Sequence, residues 1–250
     1  MQPFFFIQAR MGSTRLPGKV LAPLNADMKV IDCLYQKLSA SSNFAPNRTV
    51  ILTSVNPSDD PLVDYCVQQQ WLVERGDEDN VFMRFYAACK KYNPEYFYRI
   101  CADNPFVEPF LLDTLSDFIR EHSDTDYVSF QDKDGCPVIQ THYGFFSELI
   151  SARALLGVDV LSLDKTEQEH VTPVFYNHPD RFQVTLLPMP DNLSDDRIRL
   201  TIDTEEDLQI AKKILAHFRS EFNIMDVYHF LNCNPDLYDV MDKQIQRNQK

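Results

Sequence analysis

The sequence predicts an α/β protein built on a mostly parallel sheet that is flanked by helices. Short β-branched or aromatic runs alternate with longer segments in which apolar residues recur every three or four positions. This alternation continues over roughly the first 125 of the 250 residues. Strands separated by helices favour parallel pairing, because each crossover helix returns the chain to the same end of the sheet.

Four strands and four helices are predicted in the first half of the chain. The strands are short apolar runs, and the helices between them have one apolar face. The predicted strands are Phe4–Gln8, 49–53, 71–74 and 96–101. The predicted helices are Val30–Ser39, 60–70, 79–92 and 108–122.

The pattern changes in the second half, where strands become more frequent. Strands are predicted at 127–130, 182–187 and 197–202, with a turn at 132–135 and a strand or hairpin arm at 136–146. Helices are predicted at 147–156, 166–176, 204–218 and 223–231, and a frayed tail at 243–250. Thr204 is the expected N-cap of the third of these helices. We therefore expect a single domain, 1–250, with a β-rich insertion at about 127–190.

Charge and hydropathy argue against two classes of partner. The chain has 24 Lys and Arg against 37 Asp and Glu, which gives a net charge of −13. We expect no nucleic acid partner, because duplex-binding surfaces are basic. No apolar run approaches the ~20 residues of a membrane span, so no membrane partner is expected. The six scattered cysteines lack a C-x-x-C pair and no signal peptide is visible, which indicates a cytoplasmic protein.

A basic loop follows the first predicted strand, within "IQARMGSTRLPGKVL". It is not a Walker A loop, because Gly12 and Gly18 enclose five residues and Val20 follows the lysine. The glycines still allow close backbone approach, and Ser13 adds a hydroxyl donor. The cations of the loop are Arg10, Arg15 and Lys19. The loop is predicted to bind an anion; the alternative is a solvated loop that is merely basic.

Two carboxylates follow predicted strands, where ligands of open α/β sheets bind. Asp103 comes just after the fourth strand, and Asp203 directly follows the strand predicted at 197–202. If both lie at one edge of the sheet, they could share a Mg²⁺ ion, which takes oxygen ligands and usually binds substrate phosphates too. Each also has a simpler interpretation, Asp103 as a turn residue before Pro105 and Asp203 as part of a helix start.

These segments resemble a known family. "IQARMGSTRLPGKVL", "VERGDEDNVFMRFY", "RICADNPFVEPFLLD", "EQEHVTP" and "LTIDTEEDL" occur in that order over most of the chain. They are similar to motifs of the spore coat polysaccharide biosynthesis protein F group. That group is related to the cytidylyltransferases that make CMP-activated 3-deoxy-manno-octulosonate and sialic-acid-like sugars.

The resemblance implies a fold, a reaction and a set of site residues. The fold is that of the nucleotide-diphospho-sugar transferases, which is Rossmann-like, and the family commonly dimerises through its β-rich insertion. The reaction is attack by a hydroxyl group of an acidic or otherwise modified sugar on the α-phosphate of CTP with Mg²⁺, releasing pyrophosphate. The implied catalytic residues are Arg10, Arg15, Lys19 and Asp103, and the implied metal ligands are Asp103 and Asp203. The implied nucleotide-binding residues are Ala9, Arg10, Gly12, Ser13, Arg15, Lys19, Thr53, Arg75, Gly76, Arg84 and Asp103.

The sugar side departs from the family pattern. Family members carry a "GLDVE"-like run, and the stretch assigned to it here is "QTHYG" at 140–144. His142 is a candidate sugar contact or base, and otherwise a surface histidine on a hairpin. His170 is a candidate contact to the sugar or to a second subunit, and otherwise a packing histidine. The departure leaves open a related transferase with another nucleotide, a glycosyltransferase, and a nucleotide-sugar-binding protein without catalysis.

Overall fold

Seven strands form one sheet in the computed structural model, which describes residues 2–218 and 221–247. The strands are β1 (Phe4–Gln8), β2 (Thr49–Ser54), β3 (Leu72–Gly76), β4 (Tyr96–Cys101), β5 (Tyr127–Gln131), β6 (Glu148–Ser151) and β7 (Val184–Pro188). Their order across the sheet is β3-β2-β1-β4-β6-β5-β7. The predicted α/β class is confirmed, and the sheet is mixed because β6 runs antiparallel to β4 and β5.

Ten α-helices are found in the part of the chain that the structure describes. Those of the first half are α1 (Val30–Ser39), α2 (Asp60–Gln68), α3 (Val81–Tyr92) and α4 (Pro109–Glu121). Those of the second half are α5 (Ala152–Leu156), α6 (Lys165–His170), α7 (Pro173–Tyr176), α8 (Glu205–His217), α9 (Ile224–Asn232) and α10 (Pro235–Arg247). None of these helices is long and apolar enough to cross a membrane.

The apolar run of β1 is continuous because both faces of the sheet are buried. Successive strand residues point to opposite faces. Phe5 and Ile7 join one core with α1, α2, α4 and the C-terminal helices. Phe4 and Phe6 join a second core with α3, α5 and α7. A strand covered on both faces has no polar side, and this explains the aromatic run at the N-terminus.

The order of the strands places a crevice beside β1. The chain builds outward from β1 through β2 and β3, and then returns to pair β4 with the other edge of β1. All three pairings are parallel, so the carboxyl ends of these strands lie at one edge of the sheet. In open α/β sheets such a reversal leaves a crevice between the loops, and ligands bind there.

The segment 127–190 extends the same sheet. It supplies β5 and β7, which pair in parallel, and β6, which lies between β4 and β5. The predicted helix at 147–156 is wrong in its first half, because Glu148–Ser151 is a strand and only Ala152–Leu156 is helical. Ser151 caps that helix by accepting a hydrogen bond from the Ala154 amide.

Three further predictions are wrong. Residues 136–146 form a loop with a 3₁₀ turn, Val138–Gln140, and an isolated antiparallel bridge between Pro137 and Gln131, in place of the predicted strand or hairpin arm. Residues 197–202 form no strand, because their amides bond to loops and not to a neighbouring strand. The tail predicted from residue 243 belongs to α10 as far as Arg247, because Leu237, Tyr238 and Met241 pack into the core. Residues 248–250 lie outside the described part of the chain.

Candidate active site

A cleft of about 710 Å³ opens at the carboxyl ends of β1 and β4. Its walls come from the basic loop after β1, the loop after β4 and the segment 127–190. It is lined by eight of the residues predicted for the site: Ala9, Arg10, Ser13, Arg15, Lys19, Asp103, His170 and Asp203. The structure therefore brings the basic loop and the two carboxylates to one place.

The basic loop is folded around the carbonyl group of Met11. The amides of Ser13 and Gly18 both donate to this oxygen, each at 2.9 Å. Gly18 has φ of 72°, a left-handed conformation that favours glycine. The Met11 amide donates in turn to the carboxylate of Asp59 at 2.7 Å. Gly12 is exposed and does not line the cleft. The loop is thus a compact turn that is tied to the end of β2.

Lys19 lies between the two predicted metal ligands. Its Nζ is 2.7 Å from Oδ2 of Asp103 and 2.9 Å from Oδ1 of Asp203. The lysine is only 9% exposed. Burial acts to lower its pKa, but the two carboxylates outweigh burial and raise the pKa of Lys19 above its usual value. Two carboxylates that converge on one ammonium form a strong cation site.

Asp203 is held by a buried arginine that sequence analysis missed. Arg199 is fully buried and donates to Asp203 Oδ2 at 3.1 Å and to both oxygens of Asp207, at 2.8 and 3.0 Å. Arg15 also reaches Asp203 Oδ2, at 3.1 Å. Burial acts to raise the pKa of Asp203, but Lys19, Arg15 and Arg199 lower it to about 2. Asp203 is therefore a carboxylate over the whole physiological pH range.

Asp103 and Asp203 are neighbours because their backbones are joined. The amide of Ile202 donates to the carbonyl oxygen of Asp103 at 2.8 Å. This bond ties the segment before α8 to the end of β4. Thr204 then caps α8 as predicted, since its hydroxyl accepts from the Asp207 amide. Residues one hundred positions apart thus meet at the tip of one strand.

A row of polar side chains crosses the floor of the cleft. Four neighbouring strands, β1, β4, β6 and β5, contribute Gln8, Arg99, Glu148 and Ser129. Arg99 donates to Glu148 Oε2 and to Gln8 Oε1, both at 2.9 Å, and Tyr127 donates to Glu148 Oε1. Glu148 is fully buried and Arg99 is 5% exposed, and Arg99 Nε makes no hydrogen bond in the described structure. These charges interrupt an otherwise apolar face of the sheet.

The loop 140–144 lines the cleft, but His142 does not. Gln140, Thr141 and Gly144 are lining residues, whereas His142 Nδ1 lies 2.7 Å from Nη1 of Arg199. Gly144 has φ of 72°, and a Cβ there would lie 2.4 Å from the Thr201 amide nitrogen, so only glycine fits. Gly144 and Glu148 have the spacing of the glycine and glutamate of G-L-D-V-E. Aligning G-L-D-V-E with residues 144–148, and not with 140–144, assigns its glutamate to Glu148, which lines the cleft.

His170 is brought to the cleft by a strained turn. Val171 has φ of 68° and ψ of −56°, and the Thr172 amide donates to the His170 carbonyl at 2.8 Å. This is a γ-turn, a conformation that is costly for a β-branched residue. It separates α6 from α7, which sequence analysis predicted as one helix. His170 and Thr172 both line the cleft as a result.

Besides Gly12, four predicted nucleotide-binding residues lie outside the lining of the main cleft. Thr53 is buried and donates to Asp59 at 2.9 Å. Arg75 donates to the carbonyls of Ser54 and Asn56 and pairs with Asp60. Arg84 donates to the carbonyls of Asp77 and Glu78, and a Cβ on Gly76 would lie 3.0 Å from Arg84 Cγ. These residues hold the loops that follow β2 and β3.

The donor set of the cleft fits a hard divalent cation. Among residues 2–218 and 221–247, no group of three or more His, Cys, Asp or Glu side chains could hold a metal ion. The cleft does contain two carboxylates, those of Asp103 and Asp203, which converge on the Lys19 ammonium. Mg²⁺ is typically bound in this way, by one or two carboxylates with substrate phosphates and water completing the shell.

Comparison with known proteins gives the family of the chain. The family model described as cytidylyltransferase matches residues 4–233. The chain belongs to the cytidylyltransferase family. Spore coat polysaccharide biosynthesis protein SpsF of Bacillus subtilis is 36% identical over 237 residues, 93% of this chain and 95% of that protein. A 3-deoxy-manno-octulosonate cytidylyltransferase of Bartonella tribocorum is 31% identical over 113 residues, 44% of each chain.

A solved structure agrees with this membership. A cytidylyltransferase from Leptospira borgpetersenii superposes with a TM-score of 0.83 at 27% identity, over 95% of this chain and 97% of that one. The resemblance seen in the sequence motifs is confirmed, as are the nucleotidyltransferase fold and the conclusion that the protein is an enzyme. In this cytidylyltransferase, the cations of the basic loop and the carboxylates of Asp103 and Asp203 meet in the cleft described above.

Proposed function

We propose that this cytidylyltransferase transfers CMP from CTP to a hydroxyl group of a sugar, for surface polysaccharide or glycan biosynthesis. The observation that carries the proposal is the cluster of Lys19, Asp103 and Asp203 at the tip of β4. Phosphoryl transfer needs cations for the phosphates and carboxylates for a metal, and this cluster contains both. Family membership and the similarity to SpsF support the nucleotide and the pathway class.

In the proposed reaction the basic loop holds the triphosphate. Arg10, Arg15 and Lys19 would contact phosphate oxygens, and Ser13 would add a donor. The sugar hydroxyl attacks the α-phosphorus and releases its proton to water, the bond from the α-phosphorus to the oxygen bridging to the β-phosphate breaks, and pyrophosphate leaves. Lys19 and Arg15 would stabilise the charge on the leaving group. Asp59 would keep the loop in place through the Met11 amide.

Asp103 and Asp203 would hold Mg²⁺ in this proposal. When bound, the ion neutralises phosphate charge and polarises oxygen atoms at the reacting centre. Arg199 and Asp207 orient Asp203, so they are positioning residues in this site. Backbone groups near Ala9 would read the base, as the family resemblance implies, and Thr53 would support this wall by donating to Asp59.

The polar row on the cleft floor is the proposed acceptor subsite. A guanidinium group has only donors, so the oxygen of the Gln8 amide faces Arg99 and its NH₂ group is turned away from Arg99. Glu148 balances the charge of Arg99, so the row presents hydrogen-bonding groups without net charge. Such a surface suits the hydroxyl groups of a sugar. His170 and Thr172 would contact the sugar from the wall formed by the segment 127–190. His142 does not line the cleft and would affect the site by contacting Arg199, which holds Asp203.

We propose that the enzyme is a homodimer formed through the segment 127–190. The support is the family resemblance and the surface of that segment. Leu161, between α5 and α6, is 92% exposed, the highest value among the exposed large apolar side chains of the described residues. A second copy that covers this region would remove the leucine from water.

The experiment that tests the proposed reaction is a pyrophosphate-release screen. It crosses the four nucleoside triphosphates with a panel of keto-acid, amino and neutral sugars, with Mg²⁺ present. The proposal expects release with CTP and at least one sugar. Strong release with UTP or GTP and none with CTP would contradict it. CTP binding without release with any sugar would indicate a nucleotide-binding protein without catalysis.

A further inference from the structure

Both carboxylates of the proposed metal site are occupied by cations of the protein itself. Lys19 Nζ contacts Asp103 Oδ2 and Asp203 Oδ1, at 2.7 and 2.9 Å. Arg15 and Arg199 each contact Asp203 Oδ2, at 3.1 Å. Both oxygens of Asp203 and one of Asp103 therefore already accept charged hydrogen bonds. A metal ion shared by Asp103 and Asp203 would lie where the Lys19 ammonium lies, so the two cations compete for that position.

The three cations differ in how firmly they are held. Arg199 is fully buried and makes two bonds to Asp207, so it remains beside Asp203. The Arg15 side chain is 47% exposed and comes from the loop. Lys19 ends the same loop and reaches the carboxylates through a single ammonium group, which can rotate away on its flexible stem. The exchangeable contacts are therefore those of Lys19 and Arg15.

The same two residues belong to the loop that is proposed to hold the triphosphate. Around the cleft, the four Lys and Arg side chains are matched by four Asp and Glu side chains. The loop thus has little unpaired positive charge before a ligand arrives. A triphosphate competes with Asp103 and Asp203 for Lys19 and Arg15, while a metal ion competes with Lys19 and Arg15 for the carboxylates.

We propose that Lys19, with Arg15, closes the metal site until the nucleotide arrives. The ammonium of Lys19 takes the place of the metal between Asp103 and Asp203. When the triphosphate binds, Lys19 and Arg15 move to its oxygens, and the carboxylates are released for the metal. Metal and nucleotide then bind cooperatively, because each removes the competitor of the other. This inference rests on the proposed function, since it takes CTP and a divalent cation as the ligands.

The first test measures metal binding without nucleotide. Mn²⁺ is titrated into the full chain, and the free ion is followed by its electron spin resonance signal. Lys19→Met is expected to bind Mn²⁺ at least about fivefold more tightly than the wild type, a typical size for coupling between two ligands. Arg15→Met should show a smaller increase. The matched control is Arg10→Met, which removes a cation of the same cleft that touches neither aspartate.

The outcome of this titration decides the role of Lys19. If Lys19→Met binds Mn²⁺ no more tightly than Arg10→Met, the lysine does not close the site and the inference is wrong. Asp203→Asn in the Lys19→Met background should remove the gain, which places the ion at these carboxylates. If Lys19→Met does not fold, as judged by circular dichroism, Arg15→Met against Arg10→Met gives the same decision.

The second test measures the coupling itself. The CTP dissociation constant is determined by calorimetry in EDTA and at saturating Mg²⁺, for the wild type and for Lys19→Met. The metal should improve CTP binding by a larger factor in the wild type, because only there does it replace the lysine; chelation by CTP affects both proteins equally. Equal factors would contradict the inference. If CTP binds neither protein, the proposed function is wrong. The Mn²⁺ titration then still tests whether Lys19 competes with a metal ion for Asp103 and Asp203.

Discussion

Asp59 accepts four hydrogen bonds that join the basic loop to the end of β2. The donors are the Met11 amide at 2.7 Å, the Thr53 hydroxyl at 2.9 Å, the Ser54 amide at 3.0 Å and the Ser54 hydroxyl. The residue is 1% exposed. Burial acts to raise the pKa of Asp59, but the bonds from Ser54, Met11 and Thr53 outweigh it and lower the pKa below its usual value. The ionised form therefore holds the loop.

Replacing this carboxylate should destabilise the protein in a pH-dependent way. Asp59→Asn replaces one acceptor oxygen by an NH₂ group, which cannot accept hydrogen bonds from the surrounding donors. The substitution should lower the free energy of unfolding by about 2 kcal/mol at pH 7. The folded-state pKa is depressed, so this stability is present above the unfolded-state pKa of about 3.9 and is lost as pH falls through the folded-state value. Urea unfolding at pH 7 and at pH 3 measures the difference, with exposed Asp64→Asn as control. An equal difference at both pH values would contradict this account of Asp59.

Gln8 gives a second residue-level prediction, on the acceptor side. Gln8→Met keeps the length of the side chain and removes its amide. The KM for an accepted sugar should rise about threefold to tenfold, the value of one or two neutral hydrogen bonds. The dissociation constant for CTP should change less than about twofold. Steady-state kinetics and calorimetry measure the two. An equal loss of CTP affinity would show that Gln8 serves the nucleotide and not the sugar.

The segment before α8 shows what the sequence pattern reports and what it omits. Ile198, Leu200 and Ile202 alternate with polar residues, as in a strand with one buried face. In the structure all three side chains are almost fully buried. The alternation is real, but the Leu200 amide donates to the His142 carbonyl and the Ile202 amide to Asp103. The pattern identifies the buried side of the segment and not its hydrogen-bonding partner. Helix α8 was predicted well because its capping residues are adjacent in sequence.

The cap of α8 gives a prediction about this element. Thr204→Ala removes the hydroxyl that accepts from the Asp207 amide at 3.3 Å. It should lower the free energy of unfolding by about 1 kcal/mol, the usual cost of losing an N-cap. Chemical denaturation measures it, with Thr114→Ala on the exposed side of α4 as the matched control. A loss no larger than that of the control would mean that the Asp207 carboxylate alone caps the helix.

The polar row on the cleft floor could not be predicted from local sequence. Arg99 lies within the strand predicted at 96–101, and Glu148 lay in a segment predicted as helix. Their partners are distant: Gln8 is 91 positions from Arg99, and Glu148 is 49. By contrast, Lys19, Asp103 and Asp203 could be predicted because each stands next to a recognisable strand end or helix start. The ammonium between the carboxylates was not foreseen, because it depends on how the loop after β1 packs against the ends of two distant segments.

The whole molecule is acidic, with a net charge of −13, yet its proposed substrate is an anion. A negative surface repels a nucleoside triphosphate at long range. The cations proposed to bind it are those of the basic loop after β1, and in the structure they are paired with carboxylates of the protein. The second half of the chain closes the other side of the cleft, where Glu169 of α6 faces Arg10 of the loop at 3.9 Å. One sheet thus carries both walls.

The proposed dimer is tested on the intact protein. Sedimentation velocity at micromolar concentration should show a dimer. Leu161→Asp should shift the protein toward the monomer, because it introduces a charge that a covered interface cannot solvate. Val67→Asp is the control, since Val67 is 64% exposed on α2 and outside the segment 127–190. A monomeric wild type, or equal dissociation of both variants, would contradict an interface at Leu161.

The central claim is that Asp103 serves the chemical step in this cleft. The direct measurement is CTP consumption, with an accepted sugar, by the wild type and by Asp103→Ala. The variant should lose at least about a hundredfold in kcat. It should still fold, because the Ile202 amide bonds to the backbone of Asp103 and not to its side chain, and Asp203 still pairs with Lys19. Asp117→Ala, an exposed carboxylate of α4, should remain active. Unchanged CTP consumption by a folded Asp103→Ala variant would contradict the account.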